Sequence, residues 1–204
     1  MAIQIKTLDQ LKTMRKAGLL VRSTLELVKA NIKAGITTSA LDAIAEANIK
    51  RGGGTSNFKG YHGYPATICV SVNDEIVHGI PGDRMIMPGD IVSVDCGAVI
   101  DGWHGDAAFS IIVDPIDDAR QKMLDVCEES MWVGIAAGKA GAKLSDIGHE
   151  IEKYTNAQGN MEFFANMVDM ALELRCIWSH ISSIMEKLDM ARQLKLEWSL
   201  QSSR

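Results

Sequence analysis

Apolar positions at steps of three and four dominate the first quarter of the chain. Leu8, Leu11, Met14, Val21, Leu25 and Val28 predict one long amphipathic helix over residues 8–31. Lys33-Ala34-Gly35 ends it, with a cation near the last turn and a glycine beyond. Thr37, with Thr38 or Ser39, is placed to cap a second helix carrying Leu41, Ile44, Ala45 and Asn48, and Gly52-Gly53-Gly54 stops that helix. Residues 55–67 are rich in glycine and aromatic side chains and read as a loop. Short strands are predicted at 68–72 and 76–78, on either side of Asn73-Asp74. Residues 91–113 then read as a hairpin, because Asp101-Gly102 supplies the two positive-φ positions of a type I′ turn.

The helical pattern then recurs. Asp117 is placed to cap a helix to about Ala137, with Met123, Cys127 and Met131 at four-residue steps. Lys139-Ala140-Gly141 closes it, and Leu144, Ile147 and Ile151 begin another helix. Ala17/Met123, Val21/Cys127, Leu25/Met131 and the two Lys-Ala-Gly runs all align at an offset of 106 residues, an internal repeat of helix, Lys-Ala-Gly, helix. A full second copy would continue into strands and a hairpin beyond residue 160. Instead, all 18 glycines and all 4 prolines precede residue 160, while the last 45 residues hold five of the 11 methionines and two of the four tryptophans. Leu172, Cys176, Ser179 and Ser183 fit helical spacing only loosely.

The hairpin carries the first candidate chemistry. With Asp101 and Gly102 as the loop, Ile100 faces Trp103, Gly97 faces Asp106, and Asp95 faces Ala108. Asp95 and Asp106 then share one face as a diagonal cross-strand pair, roughly 7–8 Å apart at the backbone, with space expected over Gly97 and His104 on the same side. Paired hairpin aspartates are commonly solvated surface charges. Here neither lies in the turn, and both are set in apolar strand sequence. Two carboxylates this close repel unless a positive charge sits between them, and a pair of divalent cations about 3.5–4 Å apart would fit the gap.

Composition narrows the context. A chain of 204 residues with 47% apolar content can bury a core, and a net charge of −5 weighs against nucleic acid or an anionic membrane as partner. No apolar run approaches a membrane span, and the first residues do not read as a signal peptide. Cys69, Cys96, Cys127 and Cys176 are scattered without a CxxC pair, which suits a reducing cytoplasm and disfavours a thiolate zinc site.

Three ordered motifs carry a resemblance across residues 2–159: Gly60-Tyr-His-Gly-Tyr-Pro65, Ser71-Val-Asn-Asp-Glu-Ile-Val-His-Gly-Ile-Pro81, and Val94-Asp95 followed by His104-Gly-Asp106. Together they resemble the type I methionine aminopeptidases, metallopeptidases of the α+β pita-bread fold, in which two pseudo-symmetric halves of helices pack on a curved antiparallel sheet. The internal repeat agrees with such halves. The resemblance implies that Asp95 and Asp106 are two of five ligands to two divalent ions (Co, Mn, Fe, Zn or Ni). It implies that His78 contacts substrate and stabilises the tetrahedral intermediate, and that Tyr61, Tyr64 and Cys69 line the methionine pocket. Aromatic rings and a thiol suit a thioether. As alternatives, Cys69 could be a small core residue and the tyrosines loop packing. His62 and His104 read as structural, and His149 as surface.

The chain departs from that pattern in its second half. The family completes its site with a His in a Gly-His-Gly-Ile-Gly segment and two Glu, one of them in an Ile-Glu-Pro segment, and neither segment is present. His180, Glu162, Glu173, Glu186 and Glu197 lack the family's surroundings. The genetic code offers an explanation. Met has a single codon, so the frame starting at the third base of Asn166 forces glycine at Met167-Val168 and at Met170-Ala171. That frame can read Tyr-Gly-Gly-His-Gly-Ile-Gly, and over residues 196–204 it can read through Ile-Glu-Pro. A one-step frameshift near Gly159-Asn160 is therefore expected. Residues 1–159 would be the N-terminal part of the catalytic domain, its second half incomplete, and 160–204 an out-of-frame tail. The expected function is cytoplasmic removal of the initiator methionine from nascent chains near the ribosome. The alternatives are a catalytically dead fragment or a non-enzymatic binding protein on the same scaffold.

Overall fold

A computed structural model describes residues 6–159. The expectations placed on residues 160–204, including His180 and the four glutamates, lie outside the described residues. The chain divides into two compact units, one of them Lys6–Arg120 and the other beginning at Gln121.

The first unit opens with α1 (Leu8–Asn31). Thr7 caps it through a reciprocal capping box: its hydroxyl accepts from the Gln10 N–H at 3.3 Å, and the Gln10 side chain accepts from the Thr7 N–H at 2.8 Å. The buried stripe is Ala17, Gly18, Leu20, Val21, Thr24, Leu25 and Val28. Leu8, predicted to share that stripe, is 64% exposed, so the core face lies on the later turns. Helix α2 (Thr38–Arg51) follows, capped by Thr37, and Gly52 is its C-cap. The two helices are tied by Asn48, whose Nδ2 donates to the buried Thr24 Oγ1 at 2.9 Å.

A four-stranded antiparallel sheet packs against these helices. Strands β1 (Thr55–Ser56) and β2 (Ile68–Val72) both pair with β3 (Ile91–Ile100), and β3 pairs with β4 (Trp103–Ile112). Val92, Val94, Cys96 and Ala98 point from β3 into a core shared with Val21, Val28, Leu41, Ile49, Ile68, Val70 and Val72. Gly105 on β4 lets α1 come close: a Cβ there would lie 2.6 Å from the Ala17 carbonyl carbon and the Gly18 nitrogen.

Residues 76–78 do not form the predicted strand. Ile76 and Val77 are exposed, and His78 has φ +59°, a left-handed conformation that strand pairing does not allow. Nonlocal contacts shape this segment instead. Arg84 pairs with Glu75 at 2.8 Å, and the Thr38 hydroxyl and Gly82 peptide bond each other in both directions at 3.0 and 2.9 Å.

Helix α3 (Asp118–Ala137) starts beside Asp117, whose side chain accepts from the Arg120 N–H at 2.9 Å. In the second unit, α4 (Leu144–Ala157) follows. Ile151 and Ile147 of α4 approach Gly134 of α3 so closely that a Cβ there would lie 2.6 Å from Ile151 Cδ1.

Candidate metal and substrate site

The hairpin turn has the expected geometry. Asp101 and Gly102 adopt φ +50° and +76°, as a type I′ turn requires. The register places Ile100 opposite Trp103, Gly97 opposite Asp106, and Asp95 opposite Ala108. Because side chains alternate across a sheet, Asp95, Gly97, Val99, His104, Asp106 and Ala108 share the face turned away from the Val92–Ala98 core. Asp95 and Asp106 are half-buried, and Asp95 Oδ1 is shielded from solvent. Between them on β3, Cys96 points to the other face. Burial first, and then the charges of Asp95 and Asp106, push its thiol well above the ordinary range, which keeps it a neutral core residue. His104 is exposed on the carboxylate face.

The expected space over Gly97 is filled. A Cβ on Gly97 would lie 2.5 Å from Asn57 Nδ2 and 2.9 Å from Phe58 Cε1. The Asn57 N–H donates to the Gly97 carbonyl at 3.3 Å, so Asn57 continues the pairing of Thr55 with Val99 and of Ser56 with Ala98. Asn57, Gly97 and Asp106 therefore form one row across the sheet. Sequence reasoning missed Asn57 and Phe58, because a two-residue strand has no periodicity to reveal which face its neighbours take.

Cys69 lies directly opposite Asp95, one row along the same face, and is buried. Tyr64 reaches this region. Its ring meets Phe58 edge-on with centroids 6.5 Å apart, and its hydroxyl sits 3.0 Å from the Ile68 carbonyl and 3.1 Å from the Gly79 carbonyl. Burial, and next a hydrogen bond with Cys69, hold the Tyr64 phenol above its ordinary pKa. Tyr61 is 69% exposed and stands edge-on to His62 at 4.3 Å within a short 3₁₀ turn. The structure thus groups Tyr64, Phe58 and Cys69, with Tyr61 on the rim of the same loop.

His78 is exposed on the segment after β2, and the next peptide is fixed on both sides. The Gly79 N–H donates to Ser71 Oγ at 3.1 Å, while its carbonyl accepts from the Val70 N–H at 2.9 Å and from the Tyr64 hydroxyl. A Cβ at Gly79 would lie 2.3 Å from the Val70 oxygen, so only glycine permits this approach. Asp42 on α2 is a further residue that sequence reasoning missed. Its Oδ1 accepts from the Thr67 and Ile68 N–H groups at 2.8 and 2.9 Å and so anchors the start of the strand that carries Cys69.

The donor set fits part of a site for hard divalent ions, since carboxylate oxygens suit them. Among the described residues, no three His, Cys, Asp or Glu side chains come together as a metal-binding group.

Comparison with known proteins agrees with this geometry. Residues 12–180 match the family model "Metallopeptidase family M24". Methionine aminopeptidase 1 of Bacillus subtilis is 49% identical over 149 residues, 73% of this chain and 60% of that protein. The crystal structure of methionine aminopeptidase from Thermotoga maritima superposes with a TM-score of 0.75 at 37% identity, covering 78% of this chain and 64% of that one. The enzyme from Rickettsia prowazekii gives 0.75 at 32%, covering 77% and 63%. The chain spans between two fifths and just under two thirds of the length of curated relatives it matches. With the pita-bread architecture shared with these enzymes over more than three quarters of its residues, the chain belongs to metallopeptidase family M24.

Proposed function

We propose that this chain carries the substrate pocket and part of the metal centre of an enzyme that removes N-terminal methionine from newly made polypeptides. The observation that carries the reading is one sheet face on which Asp95 and Asp106 lie beside the Cys69–Tyr64–Phe58 cluster. The names of its relatives support the same substrate class. Asp95 and Asp106 would hold the divalent ions, whether Mn, Fe, Co, Zn or Ni. When bound, such ions supply a water acidic enough to attack a peptide carbonyl at neutral pH.

The remaining roles belong to the chain's own groups. Tyr64, Cys69 and Tyr61 would surround the methionine side chain, and sulfur packs favourably against ring edges. The His78 imidazole would donate a hydrogen bond to the scissile carbonyl oxygen as negative charge builds there. Nascent chains as substrate imply work in the cytoplasm close to the ribosome. No helix among the described residues is long and apolar enough to cross a membrane.

A Met-peptide hydrolysis assay with added Mn²⁺ or Co²⁺ tests the proposal. Hydrolysis should vanish on chelation and in Asp95→Asn, and should fall about a hundredfold in His78→Ala, the scale of losing one oxyanion donor. One observation favours a second reading, that the chain as written is catalytically inactive: the described residues bring only two of the family's five ligands together. Absence of metal-dependent hydrolysis by a chain that melts cooperatively would decide for that reading.

A further inference from the structure

Ser71 sets a hydroxyl in the apolar, fully buried strand β2. A buried hydroxyl calls for a partner, and this one finds it beyond the end of its own strand. Ser71 Oγ accepts from the Gly79 N–H at 3.1 Å. Cys69 lies opposite Asp95 and Ser71 opposite Ser93. Because side chains alternate along a strand, the Ser71 hydroxyl stands on the same sheet face as Asp95, one row along.

The Gly79 N–H belongs to the peptide that joins His78 to Gly79, so the group that holds it fixes ψ of His78. His78 itself adopts φ +59°, a conformation costly for a residue with a Cβ and kept only where the surroundings impose it. Apolar packing of its neighbours does not impose it, since Ile76, Val77 and Ile80 are exposed. Hydrogen bonds just after it do. The Val70 N–H and the Tyr64 hydroxyl donate to the Gly79 carbonyl at 2.9 and 3.1 Å and hold the peptide after Gly79. Ser71 holds the peptide of His78 itself. We propose that Ser71 is a positioning residue for His78: by accepting from the Gly79 N–H, its hydroxyl fixes the direction in which the imidazole leaves the chain. This rests on the reading of His78 as donor to the scissile carbonyl and adds to it the group that keeps that donor in place.

The test has one arm without turnover and one with it, both on the full 204-residue chain. In the first, histidine rings are followed by NMR, and the His78 signal is assigned by its loss in His78→Ala. Ser71→Ala should shift the His78 ring signal and leave those of His62 and His104 in place. Should that variant fail to melt cooperatively, Ser71→Cys, whose thiol is a poorer acceptor, is measured instead and should shift the same signal. In the second arm, Met-peptide hydrolysis with Mn²⁺, Ser71→Ala should lower kcat about tenfold with KM unchanged, the scale of a slightly misplaced catalytic group. In a His78→Ala background the same substitution should cost nothing further, because the two residues act as one unit. A His78 signal that stays put in a folded Ser71 variant overturns the inference. So does an equal loss of kcat with and without the His78 imidazole, which is what a merely structural serine would give. A wild-type chain that hydrolyses no Met-peptide overturns the methionine-removal reading alone, and the ring signal then decides the role of Ser71 by itself.

Discussion

Tyr64 joins three parts of the site through one hydroxyl. It meets the carbonyls of Ile68 and Gly79 and bonds with Cys69, and burial raises its pKa above the ordinary value of 10.0. The sign of the consequence is fixed. The unfolded phenol loses its proton near pH 10 while the folded one keeps it, so the unfolded state binds fewer protons above that pH and stability falls. The contribution is complete below pH 10 and is lost as the pH climbs beyond it. Tyr64→Phe should cost about 1 kcal/mol at pH 8, the net worth of a typical hydrogen bond, and urea melts should show the gap between wild type and variant closing by pH 11. A gap that stays constant would mean the hydroxyl is not held as described. Much of the site was legible residue by residue. Asp95 and Asp106 were placed by turn chemistry alone, since the turn fixes the register and the register fixes the face. Asn57 and Asp42 were not legible, because each acts on a strand far away in sequence: Asn57 over Gly97, and Asp42 on the Thr67 and Ile68 amides.

The packing of α1 on β4 shows how an element depends on a missing side chain. Gly105 lies two residues past Trp103, between the exposed His104 and Asp106, and its inner face touches the backbone of Ala17 and Gly18. Backbone cannot step aside as a side chain can, so Gly105→Ala must push α1 away from the hairpin. Overpacking of this kind costs about 1–3 kcal/mol, and a denaturant melt should show it. The variant should also bind Mn²⁺ less well, because Asp106 is the next residue along the strand. A melt unchanged within about 0.5 kcal/mol would refute the close approach. At this scale the sequence predicts elements well where periodicity or turn chemistry acts locally. The capping of α2 by Thr37, its end at Gly52, strand β2 and the hairpin all appear as expected. The segment around His78 does not, since its apolar run Ile76-Val77 mimics a strand while its path is set by Thr38–Gly82, Glu75–Arg84 and the Gly79 peptide.

At the scale of the whole molecule the internal repeat becomes geometric. Shifted by 106 residues, the end of α1 at Asn31 falls on the end of α3 at Ala137, and both ends of α2 (Thr38–Arg51) fall on those of α4 (Leu144–Ala157). The glycines of the two Lys-Ala-Gly runs, Gly35 and Gly141, adopt φ +89° and +83°. A repeat this regular over its helices leads to a definite expectation for the strands that follow helix α2 in the first copy. The amino acids after Gly159 contain no glycine for a Gly-His-Gly-Ile-Gly segment and no proline for Ile-Glu-Pro. The frame one step away can read both segments, with two of its glycines forced by the single methionine codon. We therefore expect the gene, sequenced across codon 159, to carry a one-step displacement of the reading frame. A chain expressed with the frame restored should hydrolyse Met-peptides in the presence of Mn²⁺ and bind the ion more tightly than the 204-residue chain. The added His and Glu would supply ligands that Asp95 and Asp106 lack here. If neither shifted frame encodes both segments, the displacement did not occur, and the tail is a sequence in its own right. If the restored chain binds Mn²⁺ no better, the recovered residues do not complete the site, and the two-carboxylate face on β3 and β4 must then find its remaining ligands elsewhere.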